Sequence, residues 1–170
     1  HGLFRKDGTR DYYRKTHFGQ REKPDFSPGK ELKILSLTNG TRIGIQLCVE
    51  THYPEITQTL ALRGAEVVFA PHAVPRISGN REKIWSKYIP ARSYDNRIYM
   101  ACCNLWDNTS FGGGCLVTGP RGEVVSACFD DKAFLLVCEI DEDLIASFRT
   151  LGNKRSAHFY PSLRRPELYE

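Results

Sequence analysis

The chain has 170 residues, 41% of them hydrophobic and 26% charged, which suits one globular domain and argues against a disordered or fibrous polypeptide. Its 24 Lys and Arg residues against 20 Asp and Glu leave a net charge of +4, but the cations are scattered among acids, so nucleic acid is not expected as a partner. No apolar run approaches the roughly 20 residues of a membrane-spanning helix and no apolar signal core opens the chain, so a soluble protein without a membrane partner is expected.

HGLFRKDGTRDYYRK reads as a strand, a turn at Asp7-Gly8 and a second strand. It resembles the inside of a domain more than a beginning, so a preceding segment is expected in the intact protein. EKPDFSPGKEL is dense in Pro, Gly and Asp and predicts a surface loop. KILSL and TRIGIQLCVE flank Asn39-Gly40, a strong hairpin signal, and the alternation of Ile43, Ile45 and Leu47 points those three side chains to one face.

The period then changes. Thr51 can cap, Pro54 suits a first helical turn, and Ile56, Leu60, Ala61 and Leu62 give an apolar side until Gly64 ends the helix. EVVFAP follows as a short strand ending at Pro71. Strand, helix and strand in this order predict a parallel crossover unit, with Cys48 at the C-terminal end of its strand, where open α/β sheets place ligands. REKIWSKYIPARSYDNR predicts a helix that Pro90 kinks or restarts. IYMACCN reads as a buried strand, FGGGC as a flexible loop, LVTGPRGEVVSAC as a hairpin around Gly119–Gly122, and KAFLLVCEI as the last strand. DEDLIASFR predicts a short helix with acids in its first turn, and residues 153–170 an arm lying on another surface. The class is α/β, with sheets covered by helices on one side.

The six cysteines, at 48, 102, 103, 115, 128 and 138, mostly lie inside apolar runs and show no CxxC spacing, which predicts reduced, buried thiols and a cytoplasmic setting. Cys48 differs in its neighbours, because Glu50, His52 and a helix start follow at once. A thiol becomes a useful nucleophile as thiolate, next to a cation, a helix N-terminus or a general base. The backbone donors ahead of Pro54 are placed to meet a developing oxyanion. IQLCVET lacks the glycines of a nucleophile elbow and the local signature of a papain-like protease. His17, His52, His72 and His158 read as surface or loop residues, and no paired spacing supports a metal site.

YYRKTHF, EKPDFSPG, GIQLCVETHYPE, LRGAEVVFAP, WSKYIPARSYDNRIYMACCN, GGGCLVTGPRGEVV and LRRPELY together resemble the carbon-nitrogen hydrolase (nitrilase) superfamily, in their usual order and over nearly the whole chain. The resemblance implies an αββα sandwich, here a single domain over 1–170 lacking its N-terminal part, and a Glu, Lys, Cys triad. It places the lysine of YRK at Lys15, the nucleophile at Cys48 and an accessory glutamate at Glu22. Val49, Glu50 and His52 fall in the motif at positions expected to bind substrate, with Glu50 also a candidate for orienting the loop.

The triad's general-base glutamate lies well upstream of the lysine in this family, and residues 1–14 offer only Asp7 and Asp11. His52 stands where an arginine is common, Cys115 where a serine is common, and Val49 where nitrilases proper carry tryptophan. The implied activity is hydrolysis of a small linear amide or carbamoyl compound through a cysteine thioester, without metal or cofactor. Alternatives are a nitrile hydrolase or acyltransferase of the same superfamily, or an inactive binding or assembly relative. The resemblance further implies a homodimer or higher homo-oligomer, with SLRRPELYE in the 153–170 arm at the interface.

Overall fold

A computed structural model describes residues 1–20, 22–23, 25–150 and 154–169. Position 24 of the predicted loop and positions 153 and 170 of the predicted arm lie outside the described residues. Strands β1 (Gly2–Phe4) and β2 (Arg10–Tyr12) form an antiparallel hairpin around the Asp7-Gly8 turn. A six-stranded sheet follows in the order β3 (Ile34–Ser36), β4 (Arg42–Ile45), β5 (Val67–His72), β6 (Tyr99–Asn104), β7 (Cys115–Thr118) and β8 (Val124–Cys128). β4, β5 and β6 are parallel, and the hairpins β3–β4 and β7–β8 flank them as antiparallel pairs. β6 and β7 are antiparallel as well.

Helix α1 (Pro54–Leu62) is the crossover between β4 and β5, as the change of period predicts. Its Ile56, Leu60 and Ala61 pack with Val68, Ala70, Met100 and Cys102 on one face of the sheet. α1 can approach so closely because position 44 is glycine: a Cβ there would stand 2.9 Å from Leu60 Cδ1. Pro90 restarts the next helical stretch. α2 (Arg81–Trp85) brings Trp85 to the same core, and α3 (Ile89–Asn96) begins with Pro90 in its first turn and adds Ile89.

Ile43 and Ile45 face the other way with Val67, Tyr99 and Val117, and Tyr13 and Ile145 join them. Ile145 belongs to α4 (Glu142–Arg149), whose N-cap Asp141 accepts a 2.8 Å bond from the Leu144 N–H. The expectation that the helices cover one side is therefore corrected: α1 to α3 share a face, and α4 contributes to the opposite cluster.

Two further expectations change. KAFLLVCEI keeps its alternation, with Leu136, Cys138 and Ile140 against the second cluster and Leu135 and Val137 exposed, yet it is not a strand. Alternation needs only one buried face, whereas a strand also needs a ladder partner, and among the described residues this segment has none. The strand before Cys48 stops at Ile45, so the cysteine sits beyond the sheet edge in a 3-10 turn over Cys48–His52.

All six cysteines are free thiols. No described helix is long and apolar enough to cross a membrane.

Candidate active site

Three chain segments meet beyond the C-terminal ends of the parallel strands. From β4 the backbone enters the 3-10 turn at Cys48, which adopts φ +52°, a left-handed conformation that costs a non-glycine residue about 1–2 kcal/mol. The turn is held there by its neighbours. Thr51 Oγ1 donates to the Cys48 carbonyl at 2.7 Å, and Gln46 Nε2 donates to the Glu50 carbonyl at 3.1 Å. Thr57 of α1 donates in turn to Gln46 Oε1 at 2.9 Å. A sharp turn around Cys48 thus forms without the glycines that IQLCVET lacks.

From β2 the chain runs through Tyr13 to Lys15. The N–H of Gly29 donates to the Lys15 carbonyl at 2.7 Å, and a Cβ at position 29 would stand 2.3 Å from the Arg14 carbonyl oxygen, so only glycine lets the SPG loop lie this close. Lys15 Nζ reaches both oxygens of Glu22, at 2.6 and 2.7 Å, and Glu22 also accepts from the Gly19 N–H at 2.8 Å. Burial alone would raise the Glu22 carboxyl, but the lysine and the Gly19 N–H outweigh it and hold the group below its ordinary range.

Glu50 ties these two segments together. It is fully buried, and five donors converge on its carboxylate. Oε1 accepts from Tyr13 OH at 2.8 Å, Thr16 N–H at 2.7 Å, Thr16 Oγ1 at 2.7 Å and His17 N–H at 3.2 Å; Oε2 accepts from Leu47 N–H at 2.7 Å. One side chain therefore fixes the segment carrying Lys15 against the turn carrying Cys48.

From β5 comes His72. Its Nδ1 lies 2.7 Å from the Ala70 carbonyl oxygen, which has no proton to give, so Nδ1 carries the hydrogen. Burial, and then the charges of Arg81, His52 and Lys15, push the imidazole down to about 4, so it is neutral across the physiological range. Its ring packs on Trp85 at 4.8 Å.

Lys15, Glu22, Cys48, Pro71 and His72 line one cavity of about 450 Å³. The predicted trio of Cys48, Lys15 and Glu22 is thus brought together. The predicted substrate contacts are not: Val49, Glu50 and His52 are absent from the cavity wall. Glu50 is consumed by protein donors, and the exposed His52 stacks on Tyr88 at 4.8 Å, with its own proton affinity lowered by partial burial, Arg92 and Arg81. His72, expected on the surface, is the wall residue that sequence reading missed, and its place directly after the apolar run EVVFAP is the one local hint. Among the described residues no cluster of three or more His, Cys, Asp or Glu is placed to hold a metal ion.

The family model for the carbon-nitrogen hydrolases matches residues 2–150. The chain belongs to that family. This carbon-nitrogen hydrolase is 30% identical over 184 residues to the N-carbamoylputrescine amidase of Solanum lycopersicum, covering 96% of this chain and 59% of the relative. It is also 30% identical to an (R)-stereoselective amidase of a Pseudomonas species, covering 86% of this chain and 53% of the relative. Among solved structures, an amidase from Nesterenkonia sp. superposes with a TM-score of 0.78 at 26% identity, covering 99% of this chain and 58% of its own. A mutant of the amidase from Nesterenkonia sp. AN1 has been solved with the acetamide moiety of fluoroacetamide covalently added at its active-site cysteine, again with TM-score 0.78 and 26% identity, over 98% and 58% of the two chains. The α/β fold is that of these nitrilase-superfamily neighbours, and the chain spans a little over half the length of the relatives it matches.

Proposed function

We propose that this carbon-nitrogen hydrolase cleaves the C–N bond of a small linear amide or carbamoyl compound through a thioester on Cys48. The observation that carries the reading is the left-handed Cys48 sharing one cavity with the Lys15–Glu22 pair. The amidase names of the relatives support the same reaction class.

In this reading a general base takes the Cys48 proton and the sulfur attacks the carbonyl carbon. The C=O electron pair moves to oxygen, where the Lys15 ammonium and the backbone N–H groups after Cys48 receive the charge. The pair returns, the C–N bond breaks, and the nitrogen leaves as ammonia or amine with the proton. Water then attacks the thioester, the C–S bond breaks, and the acid departs.

Glu22 positions Lys15 through its two short contacts and shares its charge. It is the only carboxylate on the cavity wall among the described residues. The cavity, small and lined by a cation and a buried imidazole, suits a compact polar substrate. The 154–169 arm, folded as 3-10 turns at Lys154–His158, Tyr160–Leu163 and Pro166–Leu168, leaves Leu163 and Leu168 exposed, which supports a subunit contact there.

The test is mass spectrometry of the protein after exposure to a panel of primary amides, N-carbamoyl amines and fluoroacetamide. An acyl or alkyl adduct confined to Cys48, and formed at least about a hundredfold more slowly in Lys15→Ala, supports the reading. Equal labelling of Cys48 and the exposed Cys103 rejects it.

A further inference from the structure

We propose that His72 is a specificity residue: its Nε2 accepts a hydrogen bond from the N–H of the substrate's amide or carbamoyl group, and so selects amides over esters of the same shape. The inference rests on reading Cys48 as the nucleophile.

The argument is a count of protons. Nδ1 holds the imidazole hydrogen against the Ala70 carbonyl at 2.7 Å, which leaves Nε2 as a bare acceptor. Its one polar neighbour among the described residues is Thr51 Oγ1 at 3.4 Å. That hydroxyl has a single hydrogen, and the Cys48 carbonyl, at 2.7 Å against 3.4 Å, is the much shorter claim on it. Tyr88 OH, 3.2 Å from the same oxygen, then donates to Thr51 and not to the histidine. So Nε2 faces the lone pairs of Thr51 with no hydrogen between them.

His72 is only 7% exposed, and it is a wall of the cavity that holds Cys48. A buried acceptor without a donor is costly, and the ligand that fills it is bound in preference to one that does not. The chain of contacts also fixes where that acceptor acts. Cys48 carbonyl, Thr51 Oγ1 and His72 Nε2 follow one another at 2.7 and 3.4 Å, so Nε2 lies one hydroxyl group away from the backbone of the nucleophile. In the proposed complex the substrate's carbonyl carbon meets the Cys48 sulfur in the cavity that both residues line, and its nitrogen substituent is the part that turns to this wall. An ester places an oxygen lone pair there, and two acceptors then face each other. The neutral imidazole also distinguishes this group from Lys15, which attracts any carbonyl oxygen regardless of what the carbon carries.

The test compares alkylation of Cys48 by iodoacetamide and by methyl iodoacetate, in which the thiolate sulfur displaces iodide in both cases and only the first reagent carries N–H. Second-order rates for the purified chain are divided by those of glutathione. The expected amide-to-ester preference of Cys48 over glutathione is roughly ten- to a hundredfold. His72→Phe, which keeps a ring on Trp85, should bring that preference to about one, and His72→Gln, which restores an acceptor, should recover part of it. A wild-type preference equal to that of glutathione overturns the inference even if no variant folds, and so does an unchanged preference in folded His72→Phe. Failure of the nucleophile reading looks different: Cys48 would then react no faster than glutathione with either reagent.

Discussion

The single substitution that best probes how the cavity is assembled is Glu50→Gln. The side chains are nearly isosteric, so the change removes charge and one acceptor without opening a void. With its amide oxygen in the place of Oε1, glutamine still accepts from Tyr13, Thr16 and His17, and its NH2 then confronts the Leu47 N–H that Oε2 received at 2.7 Å. A buried N–H left without an acceptor costs about 1–3 kcal/mol, and hydrogen bonds to a neutral oxygen are about half as strong as those to a charged one. Over one lost bond and four weakened by about 0.75–1.5 kcal/mol each, the destabilisation comes to about 4–9 kcal/mol, comparable with the roughly 5–15 kcal/mol of an ordinary domain. Urea unfolding followed by circular dichroism reads it as a lower midpoint with an unchanged slope. The same variant should slow iodoacetamide labelling of Cys48 under conditions where it is still folded, because the turn and the Lys15 segment lose their common anchor. An unfolding free energy within about 0.5 kcal/mol of wild type, or labelling that stays as fast, would refute the view of Glu50 as the strut between the two.

Three further outcomes follow from individual residues. Cys48 holds φ +52°, so Cys48→Gly should be more stable than Cys48→Ala by about 1–2 kcal/mol in thermal or urea melts, and equal stabilities would show that the turn is relaxed. Gly44→Ala places a methyl 2.9 Å from the buried Leu60 and should cost about 1–3 kcal/mol by the same melts, with a neutral result meaning that α1 has room to retreat. Stability should also depend on pH through His72. Between 6.5 and about 4 the unfolded imidazole binds a proton and the folded one does not, so stability falls as pH drops through that window, by about 3 kcal/mol in all. His72→Phe should remove most of that slope, and an unchanged slope would assign it to other groups.

The fold was legible wherever the cause is local. Asn39-Gly40 does mark a hairpin, although its loop is Thr38-Asn39-Gly40 between Leu37 and Thr41: Gly40 takes the positive φ of +93° that closes the turn, and the β3–β4 register follows from the apolar alternation on either side. Pro90 restarts a helix because it has no N–H to give to the preceding turn, and α3 begins there. KAFLLVCEI shows the limit of the same reasoning. Its alternation reports truthfully which residues are buried, but whether a neighbouring strand completes the ladder is decided by the topology of the whole sheet. Cys103, Cys115 and Cys128 make the same point: far apart in sequence, they stand opposite one another on three adjacent strands, a row that no spacing rule announces.

At the site, the three residues that share the cavity stood out, because Cys48, Lys15 and Glu22 lie in motifs, whereas the residues that hold them in place did not. A short motif cannot say whether an acid next to a nucleophile looks into the cavity or away from it. Glu50 looks away, since the five donors that claim it come from positions 13, 16, 17 and 47, and three of those four positions are more than thirty residues distant. The same non-locality works in reverse for His72: an imidazole at the end of β5 reads as a loop residue until α2 supplies Trp85 to cover it and Thr51 withholds its proton. Both residues are polar, both are buried, and the difference between strut and cavity wall is only whether the donors that meet them belong to the protein. Counting donors against acceptors at every buried polar group beside Cys48 therefore separates the residues that build the cavity from those left for a ligand, and it singles out Nε2 of His72 as the acceptor on the wall that no described residue fills.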